Sequence, residues 1–212
     1  MKLHLGCGTR YFEGYVNIDY PPTEHTVQKN LVADKLCNIL ELNYEPGTID
    51  EVRLHHVFEH FSRPVTCALL SNWYLWLKPG GILHIEVPDF EKTAKAALSI
   101  FTKPKQRFVA LRHIFGSHEA HWAVHYEGYS NKLITELLSN YGFKIKEYKR
   151  NEHKGTYNIE VIAIKENNNL KQSDLISISR SWLANYMVGE AESEKLMHSI
   201  WMEEYTKLLN KS

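Results

Sequence analysis

The order of elements between residues 50 and 87 constrains the fold most. "DEVRLHHV" (50–57) and "GILHIEV" (81–87) read as strands, the second rich in β-branched residues. Between them Val65, Ala68, Leu69, Trp73, Trp76 and Leu77 recur at helical spacing, with Pro64 near the start and "KPGG" (78–81) as the stop. A strand, a helix and a strand in that order make a parallel pair with a right-handed crossover. Upstream, Leu3 to Leu5 is a short apolar strand, "YVNIDY" (15–20) a second and "ADKLCNI" (33–39) a poorer third.

The later part differs. Ser130 caps "NKLITELLSNY", and Gly142 ends that helix where a left-handed residue is wanted. "FKIKEYK" (143–149) and "TYNIEVIAIK" (156–165) then face each other across "RNEHKG" as an antiparallel hairpin. The polar stretch "KENNNLKQSD" (165–174) reads as a linker. Beyond it, Leu175, Ile178, Trp182 and Tyr186 suggest one helix, and Leu196, Ile200, Trp201, Tyr205 and Leu208 another, split near Gly189. The sequence shows no internal repeat.

With 212 residues, 43% hydrophobic and 24% charged, the chain is long enough for one sizeable core. Lys and Arg number 25, as do Asp and Glu, so there is no basic excess of the kind nucleic-acid binders carry. The three cysteines, Cys7, Cys37 and Cys67, lack a CxxC spacing, which fits a reducing compartment. No apolar run reaches spanning length, and the first residues lack a signal-type apolar region. The expectation is a cytoplasmic protein with neither nucleic-acid nor membrane partners.

"LHLGCGTR" (3–10) is a strand that breaks at once into Gly6 and Gly8. In an open parallel sheet, ligands sit beyond the carboxyl ends of the strands, where the strand order reverses. Glycines at such a tip let a ligand approach the backbone. Asp19, at the tip of the second strand, can accept both hydrogens of a ribose diol. The spacing from the glycines to Asp19 is shorter than in dinucleotide sites, and Tyr11 replaces the last glycine of G-x-G-x-x-G. A nucleoside without a pyrophosphate suits this loop better. The alternative is that the glycines only make a turn and Asp19 only caps a strand end.

"LHLGCG", "YVNIDY", "IDEVRLHHVFEHF", "LKPGGILHIEVPD" and "LLSNYGF" together resemble the class I S-adenosylmethionine (SAM)-dependent methyltransferases, and most of all small bacterial members of polysaccharide-biosynthesis type. The resemblance spans residues 3 to about 165. It implies an α/β, Rossmann-like, seven-stranded and mostly parallel sheet with an antiparallel C-terminal edge hairpin. Residues 1–166 would form the methyltransferase domain and 167–212 a C-terminal helical extension. The family's helix between its first two strands is reduced here to Thr9–Tyr15 or is absent. The resemblance further implies that Leu5, Gly6, Cys7 and Gly8 pass the backbone along the methionine part of S-adenosyl-L-methionine. Asp19 would hold the ribose, with Tyr20 beside the adenine. Asn38, with Asp34 as the alternative register, and the Ile39 backbone would read the adenine edge. His55 would lie near the methionyl group, and Glu59 and His60 would begin the following helix as dipole and cap residues, or act directly.

In "GSHEAHWAVHYEGYS" (116–130), His118, His121 and His125 stand among Trp122, Tyr126 and Tyr129. In the resembled fold this segment overhangs the methyl-donor pocket. An oxygen acceptor must lose its proton, and a neutral imidazole suits that work; His125 and His121 are the candidate bases. The same spacing could instead place metal ligands on one helical face, completed by Asp89 or Glu119, or the histidines could merely pack. Asp89 is a second candidate for touching the acceptor. Trp182 and Trp201 in the tail could cover the sheet face left bare by the missing helix, form a homodimer contact, or make a lid. The function expected is methyl transfer to a small-molecule or sugar acceptor, with an inactive SAM-binding module of the same fold as the alternative.

Overall fold

The structure is a computed structural model; all residues are described except 26, 28, 29, 154, 167, 168 and 210–212. Seven strands form one sheet: β1 (Lys2–Leu5), β2 (Val16–Asp19), β3 (Lys35–Leu36), β4 (Ile49–His55), β5 (Leu77–Pro88), β6 (Phe143–His153) and β7 (Thr156–Lys165). Their order is β3-β2-β1-β4-β5-β7-β6. The first five run parallel, and β7 pairs antiparallel with both β5 and β6. This is the Rossmann-like sheet with an antiparallel edge hairpin that the resemblance implies. The order reverses between β1 and β4, which puts the ligand-binding crevice at their carboxyl ends.

Helix α1 (Arg63–Trp76) crosses from β4 to β5. Its last residue abuts β5 directly, so "KPGG" lies within the strand rather than before it. The β4–β5 register slips between Ile49 and Glu51, and Lys78–Gly81 supply the extra length as an irregularity of the ladder. Two helices that the sequence reading lacked follow β5: α2 (Phe90–Leu98) and α3 (Pro104–Phe115). Helix α4 (Asn131–Asn140) has the Ser130 cap and is followed by Gly142 in the left-handed region, both as expected. The third strand is only two residues long, because Asn38 caps a short turn over Ile39–Glu41. Residues 9–15 contain no helix.

The two sheet faces differ in kind. Leu3, Leu5, Val52, Leu54, Leu83, Ile85 and Val87 are buried in one cluster with Cys67, Leu70, Trp73 and Tyr74 of α1. The alternate residues of the same strands are mostly polar, with Lys2 and His4 on β1, Glu51, Arg53 and His55 on β4, and His84 and Glu86 beside Ile82 on β5. They satisfy one another across the sheet. Lys2 pairs with Glu51 at 3.4 Å, Arg53 Nε donates to His55 Nε2 at 2.7 Å, and His84 Nε2 meets Glu160 Oε1 at 2.7 Å. Where the family's first helix would lie, Phe12 stacks on His4 and Arg53, and Tyr15 on Lys2.

The C-terminal helices, α5 (Gln172–Ala184) and α6 (Glu192–Leu209), do not cover this polar face, the first of the three placements expected for them. They pack on α1, on the apolar side. Trp182, Leu183, Met202, Tyr205 and Leu209 join the main core, and the Tyr205 hydroxyl meets buried Ser71 Oγ at 3.1 Å. The Tyr141 hydroxyl meets Ser179 Oγ at 2.6 Å. An apolar stripe needs an apolar partner, and the open face offers mostly charge. Among the described residues, no helix is long and apolar enough to cross a membrane.

His4, on the polar face, is buried and its ring faces Asn17 Oδ1 at 3.0 Å. Burial lowers its pKa to about 4, below the value of an unfolded histidine. Between those two values the unfolded chain binds the extra proton. The contribution of His4 is therefore fully present above about pH 6.5 and is lost as pH falls toward 4. Replacing His4 by Leu should flatten the acid limb of stability against pH by up to about 1.4 kcal/mol per pH unit. Urea titrations at pH 7, 6 and 5 measure this; parallel curves for the two proteins would show that His4 does not titrate there.

Candidate functional site

At the carboxyl ends of β1, β2 and β4 lies a cavity of about 640 Å³, a size that suits a small-molecule ligand. Gly6 and Gly8 come from β1, Asp19 and Tyr20 from β2, Ile39 and Leu40 from the turn after β3, and His56 and Val57 from β4. The remaining wall is made by His60, Ser62 and Val65 ahead of and within α1, by His121, Trp122 and Tyr126, and by Glu204 of α6.

Gly6 has φ +65°, and a Cβ there would meet Val57 Cγ2 at 2.3 Å. Its missing side chain thus makes room for Val57, not for a ligand, and Val57 forms the wall in its place. Gly8 donates its N–H to Asp19 Oδ2 at 2.6 Å, and Tyr20 N donates to Oδ1 at 2.7 Å. The Asp19 carboxylate is buried at the rim, with His25 Nε2 at 3.2 Å from Oδ1. That imidazole nitrogen has no hydrogen-bond partner of adequate geometry. A carboxylate offers about four lone-pair sites, so Asp19 keeps capacity for a further donor. Leu5 and Cys7 sit behind the loop. Leu5 is fully buried in the core, and burial, reinforced by the nearby Asp19 charge, raises the Cys7 thiol to about 12.

Beyond β3, the Asn38 side chain accepts from Leu40 N at 2.9 Å, holding the turn whose Ile39 and Leu40 line the cavity. Asp34, the alternative register, is committed elsewhere. It accepts from Asn17 N and Nδ2, which hold its carboxyl below the usual range. His55 turns to the polar sheet face with Arg53 and Glu86, while its neighbour His56 lines the cavity. His56 has φ +54°, an unusual backbone for a histidine, and lies between Glu59 (3.4 Å) and Glu86 (3.2 Å). Burial opposes its charge, but the two carboxylates outweigh burial and raise it to about 9.

Glu59 and His60 do not begin a helix of any length. They form a single turn, Phe58–His60, and α1 starts later, at Arg63. Glu59 is only 1% exposed, and neither carboxylate oxygen has a hydrogen-bond partner. Residues 116–130 are also not helical. They fold back on α3 through a bridge from Gly116 to Val124, and Gly116 needs its φ of +93° because a Cβ would strike Ala123 O at 2.3 Å. The three histidines therefore share no helical face. His118 is exposed and bonded to Phe115 O; His121 lines the cavity. His125 lies in an adjoining cavity of about 390 Å³ with His56, Glu59, His60 and His113. Burial lowers the His125 pKa to about 4, and its Nδ1 donates to His113 O at 3.1 Å.

Trp122 closes the site: its indole donates to Glu24 O at 2.8 Å, and its ring stands against Tyr20, His25 and His60. Asp89 caps α2 and is 3.0 Å from Arg150 Nε, outside the lining of both cavities. His113, on the helix that sequence reasoning lacked, and Glu59 are the polar residues at this end that the sequence pointed to least. For Glu59 the signal was its place directly before His60 and after His56, in the turn that leaves β4.

Residues 3–85 match the family model of a methyltransferase domain. Among solved structures, a SAM-dependent methyltransferase from Methanosarcina mazei aligns at a TM-score of 0.53 and 15% identity, over 78% of this chain and 92% of that one. The 1,6-didemethyltoxoflavin-N1-methyltransferase of Burkholderia thailandensis, solved with 1,6-didemethyltoxoflavin and S-adenosylhomocysteine, aligns at 0.52 and 14% identity, over 78% and 71%. An S-adenosylmethionine-dependent methyltransferase from Mesorhizobium loti aligns at 0.51 and 14%, over 77% and 90%. No curated protein matches the chain. At these identities the structural likeness is one of fold. The family match is thus to a methyltransferase domain over residues 3–85, and the fold is the one those SAM-dependent methyltransferases share.

Proposed function

We propose that this chain transfers the methyl group of SAM to a small-molecule or saccharide acceptor, at an oxygen. The observation that carries the reading is the Asp19 carboxylate, buried at the tip of β2 on the wall of a cavity large enough for a nucleoside. The residues present suit SAM. One acid with spare acceptor capacity meets a ribose, and Ile39, Leu40 and Tyr20 offer apolar surface to an adenine. In this reading Asn38, whose oxygen accepts from Leu40 N, sets the turn that carries Ile39 and Leu40 to the adenine, and the loop from Leu5 through Gly6 and Cys7 to Gly8 would pass the methionine part. When bound, SAM supplies an electrophilic methyl group on a sulfonium, which an acceptor displaces in line.

The protein must then hold the acceptor, exclude water and take the proton. Trp122 and Tyr126 close the cavity above the strand tips. His121, on the same wall, is the proton acceptor in this reading. His125, the other candidate base, lies in the adjoining cavity with its Nε2 at 3.9 Å from Glu59 Oε1.

Asp19→Asn keeps one acceptor oxygen but loses the charge, and should weaken SAM binding by about 1.5–3 kcal/mol. Calorimetry measures this, and unchanged affinity would remove Asp19 from the site. For the reaction, purified protein given SAM and a panel of sugars and small hydroxyl compounds should form S-adenosylhomocysteine. His121→Ala should lower that turnover by about 10²–10⁴-fold while SAM affinity holds. SAM binding with no turnover on any acceptor would instead favour an inactive binding module. Full turnover in His121→Ala would point to an acceptor that needs no base.

A further inference from the structure

We propose that Glu59, His60 and His125 bind a divalent transition-metal ion at the wall between the two cavities. One ligand atom from each residue lies within 4.8 Å of the other two. Glu59 supplies a wholly buried carboxylate whose oxygens both lack a hydrogen-bond partner. An ionised carboxylate removed from water needs opposite charge or donors beside it, and here it has the His56 imidazole as an ion-pair neighbour but no hydrogen bond, which leaves its oxygen lone pairs open to a ligand. His56 Nδ1 approaches Oε1 to 3.4 Å, but without the geometry of a hydrogen bond.

The two histidines are set up as ligands. His60 Nδ1 is 3.1 Å from the carbonyl of Val124, and His125 Nδ1 is 3.1 Å from that of His113. A carbonyl can only accept, so each Nδ1 carries the proton and each Nε2 keeps its lone pair. Metal-bound histidines are oriented by just such a bond from the second ring nitrogen. His125 Nε2 faces Glu59 Oε1 at 3.9 Å, and the His60 and His125 rings meet edge-on with centroids 4.7 Å apart. Metal–ligand distances of about 2.0–2.2 Å would draw the three atoms to roughly 3–3.5 Å from one another, a movement within reach of side-chain rotation.

Two imidazoles and one carboxylate favour zinc, manganese, iron or cobalt over magnesium or calcium. Three protein ligands leave a position open, and it faces the adjoining cavity, where an oxygen donor can enter. The set differs from the one read off the histidine spacing, because only His125 belongs to both. The proposal does not depend on the methyl-transfer reading.

The test is a titration of chelator-stripped protein with Co²⁺, without SAM, followed by visible absorption and by competition with Zn²⁺. The wild type should bind one Co²⁺ per chain, with d–d bands that Zn²⁺ abolishes, and Zn²⁺ should raise its melting temperature. Glu59→Gln and His125→Ala should each lower Co²⁺ affinity at least about tenfold. His118→Ala, on the exposed part of the same segment, should bind as the wild type does. Absence of saturable Co²⁺ binding by the wild type would overturn the proposal, whatever the variants do. Binding undiminished in both Glu59→Gln and His125→Ala would overturn it too, by placing the metal on surface histidines.

Discussion

One carboxylate joins the two strand ends on which the site rests. Asp19 accepts from Gly8 N and from Tyr20 N, so the loop leaving β1 and the chain leaving β2 are fixed to the same pair of oxygens. Hydrogen bonds to an ionised acceptor are worth more than neutral ones, and they gain further strength away from water. With those ends fixed, Gly6 lies against Val57 and brings the β4 tip into the same wall. The cavity is therefore a consequence of how three strands end. Its polarity is concentrated where a ribose would lie, and its flanks are apolar.

The same strands explain the lopsided shape of the domain. Parallel sheets are ordinarily covered on both faces and then read as continuous apolar runs. Here "KLHL", "EVRLH" and "ILHIEV" alternate apolar and polar residues. Alternation at a period of two gives each strand one greasy and one charged face. The charged face is satisfied by pairs such as Lys2–Glu51 and His84–Glu160. Its apolar residues, Ile82, Ile162 and Ile164, lie together on β5 and β7, and Phe12 and Tyr15 cap its edge near β1 and β2. All the aromatic weight of the tail goes to the other side, onto α1.

The elements that the sequence displayed clearly were those whose pattern is local: the strands around α1, the Ser130 cap, the antiparallel hairpin and the split between the last two helices. Gly8 and Asp19 were legible as cavity residues because a strand tip needs only a strand to locate it, whereas Tyr20 and Ile39 came from the family resemblance. His55 and His56 could have been separated by the alternation alone, since His55 shares the parity of Glu51 and Arg53. The left-handed backbone at His56 then turns that side chain to the cavity. Residues 116–130 were harder, because evenly spaced histidines imitate a helix, whereas the glycine at 116 and the bridge to Val124 impose a reversal. That Glu59 is fully buried and without a hydrogen bond was not legible. Its burial arises from α3 and the 116–126 segment, which are distant in sequence and close over it.

Whether the strand-tip cavity holds SAM is most directly measured by hydrogen–deuterium exchange with and without SAM. Protection should appear in peptides covering residues 6–20, 37–42 and 56–66, and in the segment around Trp122 that closes over them. Peptides from β6 and from the middle of α5, far from the cavity, should exchange at the same rate in both samples. Saturating SAM that leaves the β1 and β2 tips unprotected, or that protects only the C-terminal helices, would contradict the account.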